Sequence, residues 1–285
     1  MCGRFTLRTA ASAIAEQFAL LGVPEFAARF NVAPSQPVPV IRMRSEAPQG
    51  DGGRAADIAD RRKNHTGRSS SVPLAVSREL VWLRWGLVPS WAKDPAIGNR
   101  LINARAESAA EKPAFRAAMR RRRCLVVADG FYEWQQSGGR AGTKGDSPIF
   151  AGAKIGTVPR AGRAKQPHFI RLHGDRPFAF AGLWEAWEGA DHATLETCAI
   201  LTTAANELVR PIHDRMPVIL AASSYSAWLD PAIEDPRQLM PLLVPYPSHE
   251  MEAQPVGDFV NSPAHDSPRC VEPALQKSNL TLPGL

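Results

Sequence analysis

The chain predicts an α+β fold built mainly from antiparallel sheet. Three observations carry this expectation. Segments rich in β-favouring residues outnumber helical ones, and they do not alternate with helices as a doubly wound parallel sheet requires. The 25 prolines and 21 glycines among 285 residues also keep elements short, because proline lacks a backbone N–H and glycine loosens the chain. Hydrophobic residues make up 44% and charged residues 22%, a composition that can bury a core and excludes a disordered chain.

Taken in order, Ile14, Phe18 and Leu21 recur at helical spacing, which predicts a helix over 10–22 capped by Thr9 or Ser12. Residues 38–43 and 80–87 read as strands. Ser108-Ala109-Ala110-Glu111 is a capping-box pattern and predicts a helix bearing Phe115 and Met119 on one face. The apolar run at 124–128 predicts a buried strand. Further strands are expected at 169–172, 178–183, 197–201 and 218–220, and a short helix at 223–229 capped by Ser223 or Ser224. Residues 45–71 and 137–166 are Gly-rich and aperiodic, and are expected to be surface insertions in one domain over 1–262. Residues 263–285 are expected to form an irregular tail.

The net charge of +6 is unevenly spread: +6 falls in residues 100–123, +5 in 137–167 and −8 in 168–260. A basic N-terminal half suits a polyanionic partner, although the arginine run at 120–123 also fits a solvated helix end. No stretch has the ~18 consecutive apolar residues of a membrane span. The start, Met1-Cys2-Gly3-Arg4-Phe5, lacks the apolar core of a secretory signal, so a cytoplasmic location with free thiols is expected. There is no P-loop, no G-x-G-x-x-G after a strand and no G-x-S-x-G. The seven histidines are scattered, with no HExxH, and the four cysteines form no CxxC. Neither a metal nor a cofactor is expected.

Cys2 is the most informative residue. Removal of Met1 would expose an α-amine and a thiol on one residue, with reference pKa values of about 8 and about 8.5. This 1,2-aminothiol condenses with an aldehyde: the amine forms a Schiff base, and the thiol then closes a five-membered thiazolidine. Taken alone, a cysteine in second place is what chance supplies. Three further segments bear on it. Asn103 and Arg105 would share a face if extended, Glu133 ends a segment beside Trp134, and His213 precedes an apolar strand.

Met1-Cys2-Gly3-Arg4-Phe5, Phe30-Asn31-Val32-Ala33-Pro34, Trp85-Gly86-Leu87-Val88-Pro89-Ser90-Trp91, Ile102-Asn103-Ala104-Arg105, Gly130-Phe131-Tyr132-Glu133-Trp134 and His213-Asp214-Arg215-Met216-Pro217 resemble, in type and order, the SOS-response-associated peptidase (SRAP) family of abasic-site processing proteins. The resemblance spans nearly the whole chain. Two features depart from the family pattern: Ser108 stands where threonine is common, which retains the hydroxyl, and the 137–166 insertion is long.

The resemblance implies a single domain with a barrel-like core of antiparallel sheets and short peripheral helices. It implies a covalent thiazolidine cross-link between Cys2 and the ring-opened aldehyde of an abasic site in single-stranded DNA, with strand-cleaving lyase activity and reversal of the link as further steps. By matching motif, Cys2 is the nucleophile and Asn103 orients the amine and sugar. Glu133 exchanges protons with the amine and Schiff base, and His213 serves the sugar ring oxygen during opening. Arg4 and Arg105 are implied phosphate ligands, and Pro34, Trp91 and Trp134 are implied apolar contacts to bases. Asn31 and Thr202 complete the implied DNA contacts. A monomer that joins the nucleoid when bound to DNA is expected. Two other readings stay open: an N-terminal-nucleophile peptidase that removes its own Met1, and a non-covalent single-strand-binding module.

Overall fold

The computed structural model describes residues 2–44, 78–135 and 165–274. The insertion expected at 45–71 lies outside these residues, as does all but the end of that at 137–166. In chain order the first elements are β1 (Arg4–Leu7), α1 (Ala11–Gln17), β2 (Arg29–Val32), β3 (Pro37–Met43), β4 (Arg78–Trp85), β5 (Asn103–Arg105), α2 (Ala106–Ala109) and α3 (Arg116–Arg121). They are followed by β6 (Arg123–Ala128), β7 (Gly130–Gln135), β8 (Gln166–Leu172), β9 (Phe178–Glu188), β10 (Thr194–Ala204), β11 (Arg215–Pro217), β12 (Ile219–Leu220), α4 (Tyr225–Leu229) and β13 (Met251–Pro255).

The barrel expected of the core is a closed ring. Strand β4 pairs with β3, β3 with β6, β6 with β9 and β9 with β10, all antiparallel, and β10 returns to β4 through a parallel seam at Thr197–Arg84 and Cys198–Trp85. Closure removes the exposed edges that an open sheet would leave. Strand β5 adds to β10 in parallel, and β11 adds to its far end antiparallel. A second, antiparallel sheet has the order β13-β8-β7-β1-β2. Alternation along the strands divides the core. Ile41, Leu125, Val127, Ala181 and Leu201 pack beneath the helices, while Val40, Trp85, Val126, Phe180 and Ile200 meet Phe5 and Phe131 of the second sheet.

Several local expectations are corrected. The first helix ends at Gln17 and leaves Leu21 98% exposed. Its N-cap is Ala10, with no side-chain cap, because both the N–H and the hydroxyl of Thr9 bond Asp129 instead. The helix expected to open at Ser108 is two short pieces, α2 and α3, separated at Pro113, whose ring cannot sit in a helix interior. Ser224 caps α4 without a side-chain bond. The arginine run is largely structural. Arg123 is buried and donates to the carbonyls of Met119, Arg120, Trp228 and Asp230, while Arg122 pairs with Glu185 and Arg121 with Glu234. Carbonyls at the end of α3 are electron-rich and welcome a cation.

Two glycines deliver the chain to the site. Gly86, at φ +129°, lies so close to Gly98 that a Cβ on either would sit 2.6 Å from the other's carbonyl oxygen. This contact docks the 3₁₀ turn Pro95–Arg100 against the end of β4 and lets Leu87 N–H reach Leu101 O at 3.1 Å, from where the chain enters β5. Beyond Ser262 the chain stays packed through Ala274. Asp266 accepts from Phe30 N–H, Asn31 N–H and Arg29, and Val256 bridges Pro273. Among the described residues no helix is long and apolar enough to cross a membrane.

Candidate active site

Strand pairing assembles the site. The β1–β7 register sets Arg4 opposite Tyr132 and Phe5 opposite Phe131, which brings Cys2 beside Glu133 and Trp134. The β5–β10 register sets Asn103 opposite Ile200 and Arg105 opposite Thr202. Asn103 Nδ2 donates to the Cys2 carbonyl at 2.7 Å. Among the described residues Asn103 Oδ1 is buried with no hydrogen-bond partner, so an acceptor stands ready beside the first strand. Cys2 is fully buried, its Sγ 3.8 Å from the Arg4 carbonyl. Burial pushes its thiol well above the ordinary range, and the Glu133 carboxylate adds to the rise.

Glu133 lies on β7 at 2% exposure. Burial pushes its carboxyl up to about 7, with Asp214 contributing, so near neutral pH both protonation states are populated. Such a group gives and takes protons with little driving force lost. His213 is half-buried. Its Nδ1 lies 3.0 Å from the Arg215 N–H, 3.1 Å from the Arg215 carbonyl and 3.1 Å from Asp214 Oδ1, so the turn that follows fixes the ring. Burial lowers its pKa, Lys165 adds to the lowering, and Asp214 and the Arg215 carbonyl oppose it. A cavity of about 550 Å³ is lined by Glu133, Trp134, Lys165, Arg210, Ile212, His213 and Asp214.

The structure therefore brings Cys2, Asn103, Glu133 and His213 into one neighbourhood. The expected DNA contacts divide. Arg105 is exposed, and Trp91 is 59% exposed with its Nε1–H on Pro113 O at 3.4 Å. Pro34 is half-buried. Arg4 is engaged within the fold: Nη1 donates to Asn31 Oδ1 and Val260 O at 2.9 and 2.8 Å, and Nη2 to Asn261 O at 3.2 Å. Asn31 is fully buried, and its amide holds the carbonyls of Val260, Ser262 and His265. Trp134 is tied through Nε1–H to Asn261 Oδ1 at 2.7 Å. Thr202 is buried beneath Arg215, accepting from Nη2 at 3.2 Å. In this conformation Asn31 and Thr202 act behind the surface, holding residues that face it.

Sequence reasoning missed three features. Glu107 holds Arg215 with two bonds of 2.8 and 3.0 Å, which ties the β5–α2 corner to the His213 turn. Arg215 stands inside a recognised motif and Glu107 two residues past another, but only the fold pairs them. Asp266 lies beyond the last motif. Lys165 and Arg210 carried no local signal. Among the described residues no group of three or more His, Cys, Asp or Glu side chains gathers to hold a metal ion.

The family model for SOS response associated peptidase (SRAP) matches residues 1–263. The chain is 39% identical over 275 residues to the abasic site processing protein YoqW of Bacillus subtilis (strain 168), covering 95% of this chain and 99% of that one. It is 34% identical over 225 residues to the abasic site processing protein HMCES of Gallus gallus, covering 73% and 65%. A solved structure from Bacteroides thetaiotaomicron superposes with a TM-score of 0.69 at 22% identity, over 96% of this chain and all of that one, which shows the shared fold. With that family model spanning residues 1–263 and relatives matching nearly end to end, the chain belongs to the SRAP family.

Proposed function

We propose that this protein processes abasic sites in single-stranded DNA by forming a covalent thiazolidine through Cys2 once Met1 has been removed. It acts as a monomer on DNA. The observation that carries this reading is the Asn103 amide on the Cys2 carbonyl at 2.7 Å, with the Glu133 carboxyl close enough to influence the Cys2 thiol. That hydrogen bond falls on the Cys2–Gly3 peptide, so loss of Met1 leaves it intact and the freed α-amine stays anchored.

The chemistry balances without a cofactor. The α-amine adds to the C1′ aldehyde of the ring-opened sugar, and the carbinolamine loses water to give an imine. The thiol then adds across the C=N bond, forming the S–C1′ bond and passing its proton to nitrogen. Glu133 suits both proton transfers because its carboxyl titrates near 7. His213, on the rim of the same cavity, serves the sugar ring oxygen. A raised thiol pKa keeps sulfur protonated until the imine forms, so the amine attacks first. Lyase cleavage and reversal both run through the same imine.

The test is a denaturing gel of the mature protein with an oligonucleotide carrying one abasic site, followed by mass measurement. The expected product has the summed mass less one water and lacks Met1. Cys2→Ala and Cys2→Ser should both abolish this stable product, and because each keeps the α-amine, a borohydride-reducible Schiff base should remain. A stable adduct from Cys2→Ala at normal yield would overturn the mechanism.

A further inference from the structure

The cavity beside Glu133 and His213 carries two cations that the proposed reaction does not use. Lys165 precedes β8, whose first residues pair with Gln135 and Trp134 of β7, so it stands at the mouth of the cavity. Arg210 stands three residues before His213. The intervening turn is fixed by Arg210 N–H to Asn206 O and His213 N–H to Val209 O, each 2.9 Å, and Arg210 and His213 line the same cavity. Both cations are exposed, and both line the cavity.

Their partners set them apart from the neighbouring arginines. Arg215 is clamped by Glu107 and Thr202, and Arg4 by the carbonyls of Val260 and Asn261. Among the described residues Lys165 has no ion pair, and Arg210 makes only a long contact of 3.4 Å to Ala205 O. The carboxylate on this rim, Asp214, lies 3.1 Å from His213 Nδ1. Two cations thus keep free donors beside the groups assigned to the sugar.

We propose that Lys165 and Arg210 form a subsite for the phosphate attached to the reacting sugar. The inference rests on the function proposed above and specifies its substrate. A guanidinium offers paired donors to two phosphate oxygens and an ammonium supplies a point charge. A sugar whose C1′ reaches Cys2 has its phosphates only a few bonds away, on the 3′ and 5′ oxygens. The subsite therefore selects an abasic nucleotide over a free sugar aldehyde.

The experiment compares adduct formation by the mature protein with 2-deoxyribose, 2-deoxyribose 5-phosphate and 2-deoxyribose 3-phosphate. One phosphate should be preferred over the free sugar by about tenfold, the effect of one charge-assisted contact, and its position names the side that is read. In Lys165→Gln/Arg210→Gln the preference should fall to within about twofold, and Lys165→Arg should restore part of it. A second measurement needs no aldehyde: binding of a single-stranded oligonucleotide with tetrahydrofuran in place of the abasic sugar. Here the double variant should lower the slope of log affinity against log salt by ~0.7 for one phosphate lost. An equal response of the parent to all three sugars, or an unchanged salt slope in the double variant, overturns the subsite. If no sugar forms an adduct, the bond-forming reading fails, and the salt slope alone decides the subsite.

Discussion

Asn103 holds Cys2 by its backbone, not by its thiol: the side-chain amide meets the Cys2 carbonyl at 2.7 Å, while the sulfur faces the Arg4 carbonyl at 3.8 Å. Cys2, the proposed nucleophile, is thus fixed at its carbonyl end, while its sulfur makes only this long contact.

Asn103→Ala should therefore slow adduct formation more than it weakens the fold. Removing one hydrogen bond costs ~1 kcal/mol of stability, whereas misplacing a nucleophile by about 1 Å costs ~100-fold in rate. Single-turnover kinetics and thermal melts on the same preparation separate the two. A rate loss that merely tracks the stability loss would show that Asn103 is only structural.

Glu133→Gln should alter both rate and pH dependence. A carboxyl raised from 4.5 to about 7 in the fold contributes stability below the unfolded pKa and loses it as pH rises through 7. The loss in the parent amounts to ~3 kcal/mol at 1.36 kcal/mol per unit. Glu133→Gln should remove this decline, melting above the parent at pH 8.5, while its adduct rate falls by about 100-fold or more. Melting curves from pH 4.5 to 8.5 provide the check.

Arg4 and Arg105 should behave differently although both are implied phosphate ligands. Arg105→Ala should leave the melting temperature unchanged and flatten the salt dependence of DNA binding by ~0.7 per phosphate. Arg4→Ala should cost ~2 kcal/mol, because its guanidinium holds Asn31 and two backbone carbonyls. Equal melting temperatures for the two variants would show that the Arg4 contacts are dispensable.

Asp266→Ala should destabilise the fold by ~2 kcal/mol, since it strands Phe30 N–H and Asn31 N–H and frees Arg29. A chain ending at 263 should lose more, because Asn31 then also lacks the His265 carbonyl at 2.7 Å. Urea denaturation at fixed pH measures both.

The parts legible in the sequence are those that residue type reports. The apolar run at 124–128 is a strand buried at every position, and Asn103 and Arg105 do lie on one extended strand, β5. The misreadings have physical causes. Leu21 keeps helical spacing with Ile14 and Phe18, but α1 ends four residues earlier. Pro113 overrides the pattern opened by Ser108. The engagement of Arg4, Asn31 and Trp134 with residues 260–265 was invisible because most of its acceptors are backbone carbonyls, which every residue carries. Lys165 and Arg210 acquire meaning only when β8 pairs with β7 and the turn before β11 folds back beside them.

Arg4 bonds a carbonyl 256 residues downstream, and this has a consequence for synthesis. At 5–20 residues per second the ribosome needs roughly 10–50 s to make that stretch. Throughout that interval the Arg4 guanidinium lacks its Val260 and Asn261 acceptors, although β2 and β7, the strands that flank β1, are made before it ends. Once residues 260–265 have emerged, they dock on Arg4 and Asn31 and complete the packing beside β1. The last contacts of the N-terminal strand are thereby delayed by the distance along the sequence between Arg4 and its acceptors.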